Sequence, residues 1–114
     1  MSHMVNEQVF MASEARRNYE AADVSIQARI RQDYIAASTA RRLMDLYSKA
    51  VIPEAKLTLE SSVAGYSTGT LDFLTLFMNF QTVVEYELMY HEEIMRFHVA
   101  MARLEEMTGL EVTP

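Results

Sequence analysis

Apolar residues in this chain return every three or four positions almost from end to end, and the pattern is interrupted once. From about Val9 to Val63, Tyr19, Ile26, Ile30, Ala37, Ala40, Met44, Tyr47 and Val51 form one stripe, with Arg16, Arg17, Arg29, Arg31, Arg41 and Arg42 largely off it. That is the helical repeat; the strict alternation of a half-buried strand is absent. The interruption is VAGYSTGTLDFLTLF, residues 63–77, which holds Gly65 and Gly69, two of the three glycines, among Ser67, Thr68 and Thr70. With three glycines and two prolines in 114 residues, the chain has too little punctuation for a many-stranded β fold.

A second helical segment runs from about Leu71 to Met107. Phe73, Leu76, Phe80, Val83, Tyr90, Ile94, Phe97, Met101 and Leu104 make its main stripe, broken by Glu87. A neighbouring stripe is less apolar but far from a solvent face: Phe77, Val84, Leu88, His91, Met95, His98 and Ala102. Thr70 is suited to cap this helix, Asp72 in its first turn complements the dipole, and Gly109 ends it. The fold expected is all-α, a long antiparallel helical hairpin of coiled-coil character. Its parts are a helix over 5–63, a tip turn over 64–70, a returning helix over 71–108 and a tail over 109–114. At 1.5 Å per residue the arms would be roughly 80 and 55 Å long. Pro53 lacks an amide donor and crowds the preceding turn, so it either kinks the first helix or restarts it; Ile52 is a poor N-cap, which favours the kink.

Such a hairpin cannot bury a helix that is apolar over a wide arc, because each helix has a single neighbour. The second stripe therefore stays wet until further helices cover it, and exposed apolar surface on that scale marks an interaction surface.

Charge and composition narrow the function classes. Sixteen Asp and Glu against ten Lys and Arg argue against a general nucleic-acid binder, which needs clustered positive charge. The imbalance sits after Pro53, with three basic and ten acidic residues, so that half is unsuited to an anionic membrane surface. No cysteine means neither disulfides nor thiolate metal sites. No apolar run approaches the roughly 20 residues of a membrane-spanning helix. Residues 1–4, MSHM, read as an expression remnant and are set aside together with His3.

Little in the sequence supports catalysis. HEEIM at 91–95 departs from the zincin motif at Met95, no pair of Glu-x-x-His motifs supplies a di-iron site, and neither a nucleophile elbow nor a phosphate loop occurs. No enzyme activity and no cofactor are expected. His91, Met95 and His98, at i, i+4 and i+7, share one side of a helix, and imidazole with thioether suits Cu(I) or Ag(I). The simpler account makes them seam positions, Met filling gaps and His bonding a neighbour, and no metal site is assigned.

The stretch IPEAKLTLESSVAGYSTGTLDFLTLFMNFQTVVEYELMYHEEIMRFHVAMARLEEMTG resembles the C-terminal periplasmic hairpin of TolC-type outer-membrane efflux proteins. The elements that carry the resemblance are Pro53 and Ala55, Tyr66 and Gly69 as Tyr-x-x-Gly, Phe73 with Leu74, and Thr108 with Gly109. It implies a fragment of a trimeric α-barrel, its β-barrel and first internal repeat lying outside this sequence. The tip residues Tyr66, Thr68, Gly69, Thr70, Leu71 and Leu74 would dock the periplasmic adaptor of a tripartite pump that also has an inner-membrane component. The intact protein would be a homotrimer in the outer membrane, touching the membrane only through that β-barrel, and the fragment would self-associate.

Three positions depart from the family pattern: Met78 where an Asp is common, Gln81 where an Arg is common, and Leu71 where some members place a basic residue. A charge-latched gate therefore does not follow, and an acidic ring is conceivable only around Asp72. Tyr66 either hydrogen-bonds across the tip, as the resemblance implies, or covers the hairpin end. Glu85, Glu92, Glu93, Glu105 and Glu106 form a solvated surface or, in a barrel, face a lumen where they would favour cations. The rival function is a stand-alone helical-hairpin interaction module.

Overall fold

A computed structural model of the chain describes residues 2–109. Helix α1 spans Ser2–Leu46, a single wide π turn covers Tyr47–Val51, α2 continues over Ile52–Ser67, and α3 returns over Phe73–Thr108. The first three make one rod of about 99 Å at 1.5 Å per residue, against which α3, about 54 Å, lies antiparallel. The molecule measures 98 × 29 × 14 Å, and its radius of gyration, 26.4 Å, is twice the roughly 13 Å of a compact chain of this length. It is an all-α hairpin, extended and not globular.

The rods meet along a narrow seam. Among the covered positions of α3, Leu76, Asn79, Val83, Tyr86, Tyr90, Glu93, Phe97, Ala100, Leu104 and Met107 follow in steps of three and four in strict alternation. That is a heptad repeat held over the whole helix. On the long arm Ile30, Asp33, Ala37, Ala40, Met44, Tyr47 and Val51 keep the same alternation, and then it slips. Val51 is followed by Ala55, a step of four where three is due, before Leu59 and Ser62 resume the repeat. The long arm thus carries one residue more than its seam needs, and the π turn takes up that residue. The Ile52 amide donates to the Tyr47 carbonyl, five residues back, so the wide turn returns the apolar stripe to the seam.

The same turn resolves Pro53. Its ring would crowd the carbonyl of Lys49 in a regular helix, and the widened backbone just before it gives room. The helix neither breaks nor restarts there, and the disturbance lies at 47–51, ahead of the proline.

Close approach comes from small residues. Ala37, Ala40 and Ala55 on the long arm and Ala100 on α3 are buried, with Leu104 and Val83 the larger buried side chains. Ala37, Ala100 and Leu104 form the core cluster, flanked by Ile30, Phe97 and Met101. Polar residues share the seam. Asn79 Nδ2 donates to Ser62 Oγ at 2.5 Å, and Ser62 in turn donates to the Thr58 carbonyl at 2.8 Å. Glu93, expected on a solvated surface, is buried between the rods and paired with Arg96. Glu87, the expected flaw in the α3 stripe, is half-buried and pairs with Lys56 at 3.4 Å.

The α3 stripe is rotated from the expected one near the tip, where Phe73 and Phe80 are exposed and Leu76 and Asn79 take the seam. The Asn79–Ser62 hydrogen bond is the physical reason, since it is made only with Asn79 inward. Beyond the end of α3, every residue from 2 to 29 is exposed, and α1 begins at Ser2, inside the stretch set aside as a remnant. Residues 110–114 of the expected tail lie outside the described residues.

Ala40, 2% exposed, has no room for a larger side chain. Ala40→Leu should cost about 1–3 kcal/mol in urea unfolding. Pro53→Ala should retain the π turn in an NMR or crystal structure, because the surplus residue remains, and should change stability by well under the ~3 kcal/mol of a proline in a regular helix interior.

Candidate docking site at the hairpin tip

The chain reverses in five residues, 68–72. Helix α2 runs four residues beyond the expected boundary at Val63, because Gly65 is helical and only Gly69 needs the left-handed backbone, at φ 78°. Gly69 donates its amide to the Tyr66 carbonyl at 3.1 Å, and Thr70 donates to the Gly65 carbonyl at 2.9 Å. These two bonds make a Schellman motif, which satisfies carbonyls that a helix end leaves orphaned. The Gly65 carbonyl also accepts from the Leu71 amide at 3.2 Å and the Thr70 hydroxyl at 3.1 Å.

Thr70, expected as the cap of α3, therefore closes α2 instead. The cap of α3 is Asp72, extended at φ −81° and ψ 162°, whose carboxylate accepts the Thr75 amide at 3.1 Å. Hydrogen bonding from Thr75, its hydroxyl first and its amide second, holds the Asp72 carboxyl below its ordinary pKa. Gly65 has its own function in the turn. A Cβ there would lie 3.1 Å from Leu71 Cβ, so the glycine lets the descending chain cross close over the helix end.

The expected tip residues divide by what they touch. Thr68, Gly69 and Thr70 spend their polar groups on the turn itself; the Thr68 and Thr70 hydroxyls lie 3.2 Å apart. Leu71 is half-buried over Gly65. Tyr66 and Leu74 face solvent, and the Tyr66 ring meets Phe73 edge-on at 6.0 Å. Phe73 in turn stacks on Phe77 at 6.2 Å. A shallow groove between Leu59, Val63, Phe73, Leu76, Phe77 and Phe80 runs up from the tip on this side. Sequence reasoning left Val63, Phe73 and Phe80 out of the tip surface. The signal that would have found them is the i, i+4 spacing of Phe73 and Phe77, which puts both on the second stripe.

That second stripe continues as the back of α3, opposite the seam. Phe77, Val84, Leu88 and Met95 are exposed on it, Leu88 at 59% and Met95 at 62%. His91 and His98 lie on the same exposed face, so the trio with Met95 does not pack in the seam. Among the described residues no three His, Asp or Glu side chains gather as a metal-binding group. The back of the long arm differs: Arg31, Ser38, Arg42 and Lys49 are exposed there beside Ile35 and Leu46. The hairpin thus has a mixed back on the long arm and, on α3, a back with larger exposed apolar side chains. No helix among the described residues is long and apolar enough to cross a membrane.

Comparison with protein-family models, with curated proteins and with solved structures finds no match to the chain.

Gly69→Ala should destabilise the turn by about 1–2 kcal/mol through its left-handed backbone alone, since open space surrounds the position. For Asp72, the folded value lies below the unfolded one, so the cap's contribution is complete above the usual carboxylate range. It fades as pH falls through the lowered value. An NMR titration should show the Thr75 amide shifting with the Asp72 carboxyl at that low pH, and Asp72→Asn should abolish the shift.

Proposed function

We propose that this hairpin is a wall segment of a larger helical assembly, the periplasmic α-barrel of an outer-membrane efflux channel, and acts as a passive conduit for small molecules or metal ions. The observation that carries this is the two-sidedness of α3. One face closes on the long arm, and the opposite face leaves Phe77, Val84, Leu88 and Met95 uncovered among Gln81, His91 and other polar residues. A helix apolar on opposite sides belongs between two layers of protein. The long arm, with cationic and hydroxyl groups along its back, suits the outside of such a wall.

Two further features support the same assignment. Residues 2–25 are exposed throughout and, among the described residues, extend beyond the end of α3, still carrying Val5, Val9 and Tyr19 at helical spacing. A lone helix of that length is marginal in water and gains its stability from packing. At the other end the tight turn presents Tyr66, Phe73 and Leu74, an aromatic and aliphatic surface of the kind protein interfaces use. In this assignment the tip docks the adaptor of a tripartite pump. The intact protein is a homotrimer held in the outer membrane by strands outside this sequence.

The chain on its own should self-associate through the back of α3. Sedimentation and thermal unfolding should show a midpoint that rises with concentration, and Leu88→Glu should abolish the dependence. A chain that stays monomeric and unfolds cooperatively at micromolar concentration would count for a stand-alone module and against the conduit. In the intact protein, a bulky residue in place of Gly69 should stop export; unimpaired export would remove the docking role of the tip.

A further inference from the structure

Three features of the long arm coincide over residues 47–53. The π turn holds the surplus residue, Pro53 deprives the next turn of an amide donor, and the seam changes character. Tyr47 and Val51 are only half-buried here. Tyr47 lies tilted against Tyr86, ring centres 6.3 Å apart, and its hydroxyl donates to Met89 Sδ at 3.6 Å. On both sides of this level small residues close the rods together. Ala37 and Ala40 are buried with Ala100 and Leu104 away from the tip, and Ala55 and Ser62 are buried with Val83 toward it. Between Ala40 and Ala55 on one arm, and between Val83 and Glu93 on the other, no described residue is buried.

We infer that the π turn is a hinge. The hairpin consists of two close-packed blocks, one around Ala37, Ala40 and Ala100, the other around Ala55, Ser62 and Val83 with the tip, joined across a tyrosine-lined gap. Large flat rings, one thioether contact and the partly exposed Lys56–Glu87 ion pair bridge that gap, and such contacts slide where interdigitated side chains lock. The wide turn, already missing the Pro53 amide, is where the long arm changes direction at least cost. Helix α3 crosses the same level with unbroken heptads and neither glycine nor proline, so it serves as the spring that limits the swing. Its limit is elastic, as long helices bend gently and kink at defined defects. The hinge follows from the hairpin alone and stands whether or not the chain belongs to a conduit.

Hydrogen exchange on the native chain in dilute solution tests it directly. Amides of residues 49–52 and 54 should exchange about tenfold or more faster than those of residues 37–43 and 59–63, which belong to the two blocks. Equal protection across residues 37–63 would overturn the hinge. Nitroxide labels at Ser38 and Ser61, both exposed, should give a broad distance distribution in the otherwise native chain. Deleting Ala50 together with Pro53→Ala moves Ile52 into the place of Val51 and restores the heptads of the long arm. In that variant the distribution should narrow and the fast amides should slow. A distribution equally narrow in both chains would also overturn it.

Discussion

Two rods laid side by side hide from water only the faces they turn to each other, and that limit shapes everything else in this molecule. The seam is built from Ala37, Ala40, Ala55 and Ala100, side chains small enough for the backbones to come close. Close approach improves contact along the line of touch and narrows the strip that is covered. The cost is that the large apolar residues of α3, Phe77 and Leu88 among them, are left outside. A third layer could cover them; a second rod cannot. The length of the molecule and the wet back of α3 are therefore two sides of one geometric fact.

Polar residues set the register within that seam. Ser62 and Asn79 bond each other across the seam near the tip, whereas Glu93 pairs with Arg96 of its own helix. Sliding either rod by a turn would break the Ser62–Asn79 bond and strand an unpaired donor against apolar neighbours, which is costly. The turn completes the arrangement. Its amides and hydroxyls are consumed by the two helix ends, so the chain reverses without a mobile loop and leaves aromatic side chains facing outward.

Much of this was readable beforehand, and the failures are instructive. The stripe Ile30, Ala37, Ala40, Met44, Tyr47 and Val51 is the seam of the long arm, where apolar residues recur most regularly and arginines sit to the sides. On α3 two faces are apolar, and hydrophobicity could not decide between them. Phe80 is the inward residue by periodicity, and Asn79, outside both apolar stripes, takes that place through its bond to Ser62. Glu93 was misplaced for the same reason, since charge alone predicts solvent. At the tip, Gly69 was legible as a turn residue, while the change of cap from Thr70 to Asp72 depended on which hydroxyl the Gly65 carbonyl would take. Pro53 advertised a disturbance, but the surplus residue became countable only once the residues facing α3 were known.

Periodicity, helix-forming composition and one cluster of glycine and threonine were sufficient by themselves to make this chain two long helices joined by one reversal, because backbone preference and turn chemistry act over a few residues. Tertiary contact decided the rest: which side of α3 closes, where the extra residue is stored, and how much apolar surface remains open. Those outcomes depend on the fit of one helix against another, and fit is a property of pairs of surfaces that no single stretch of sequence contains.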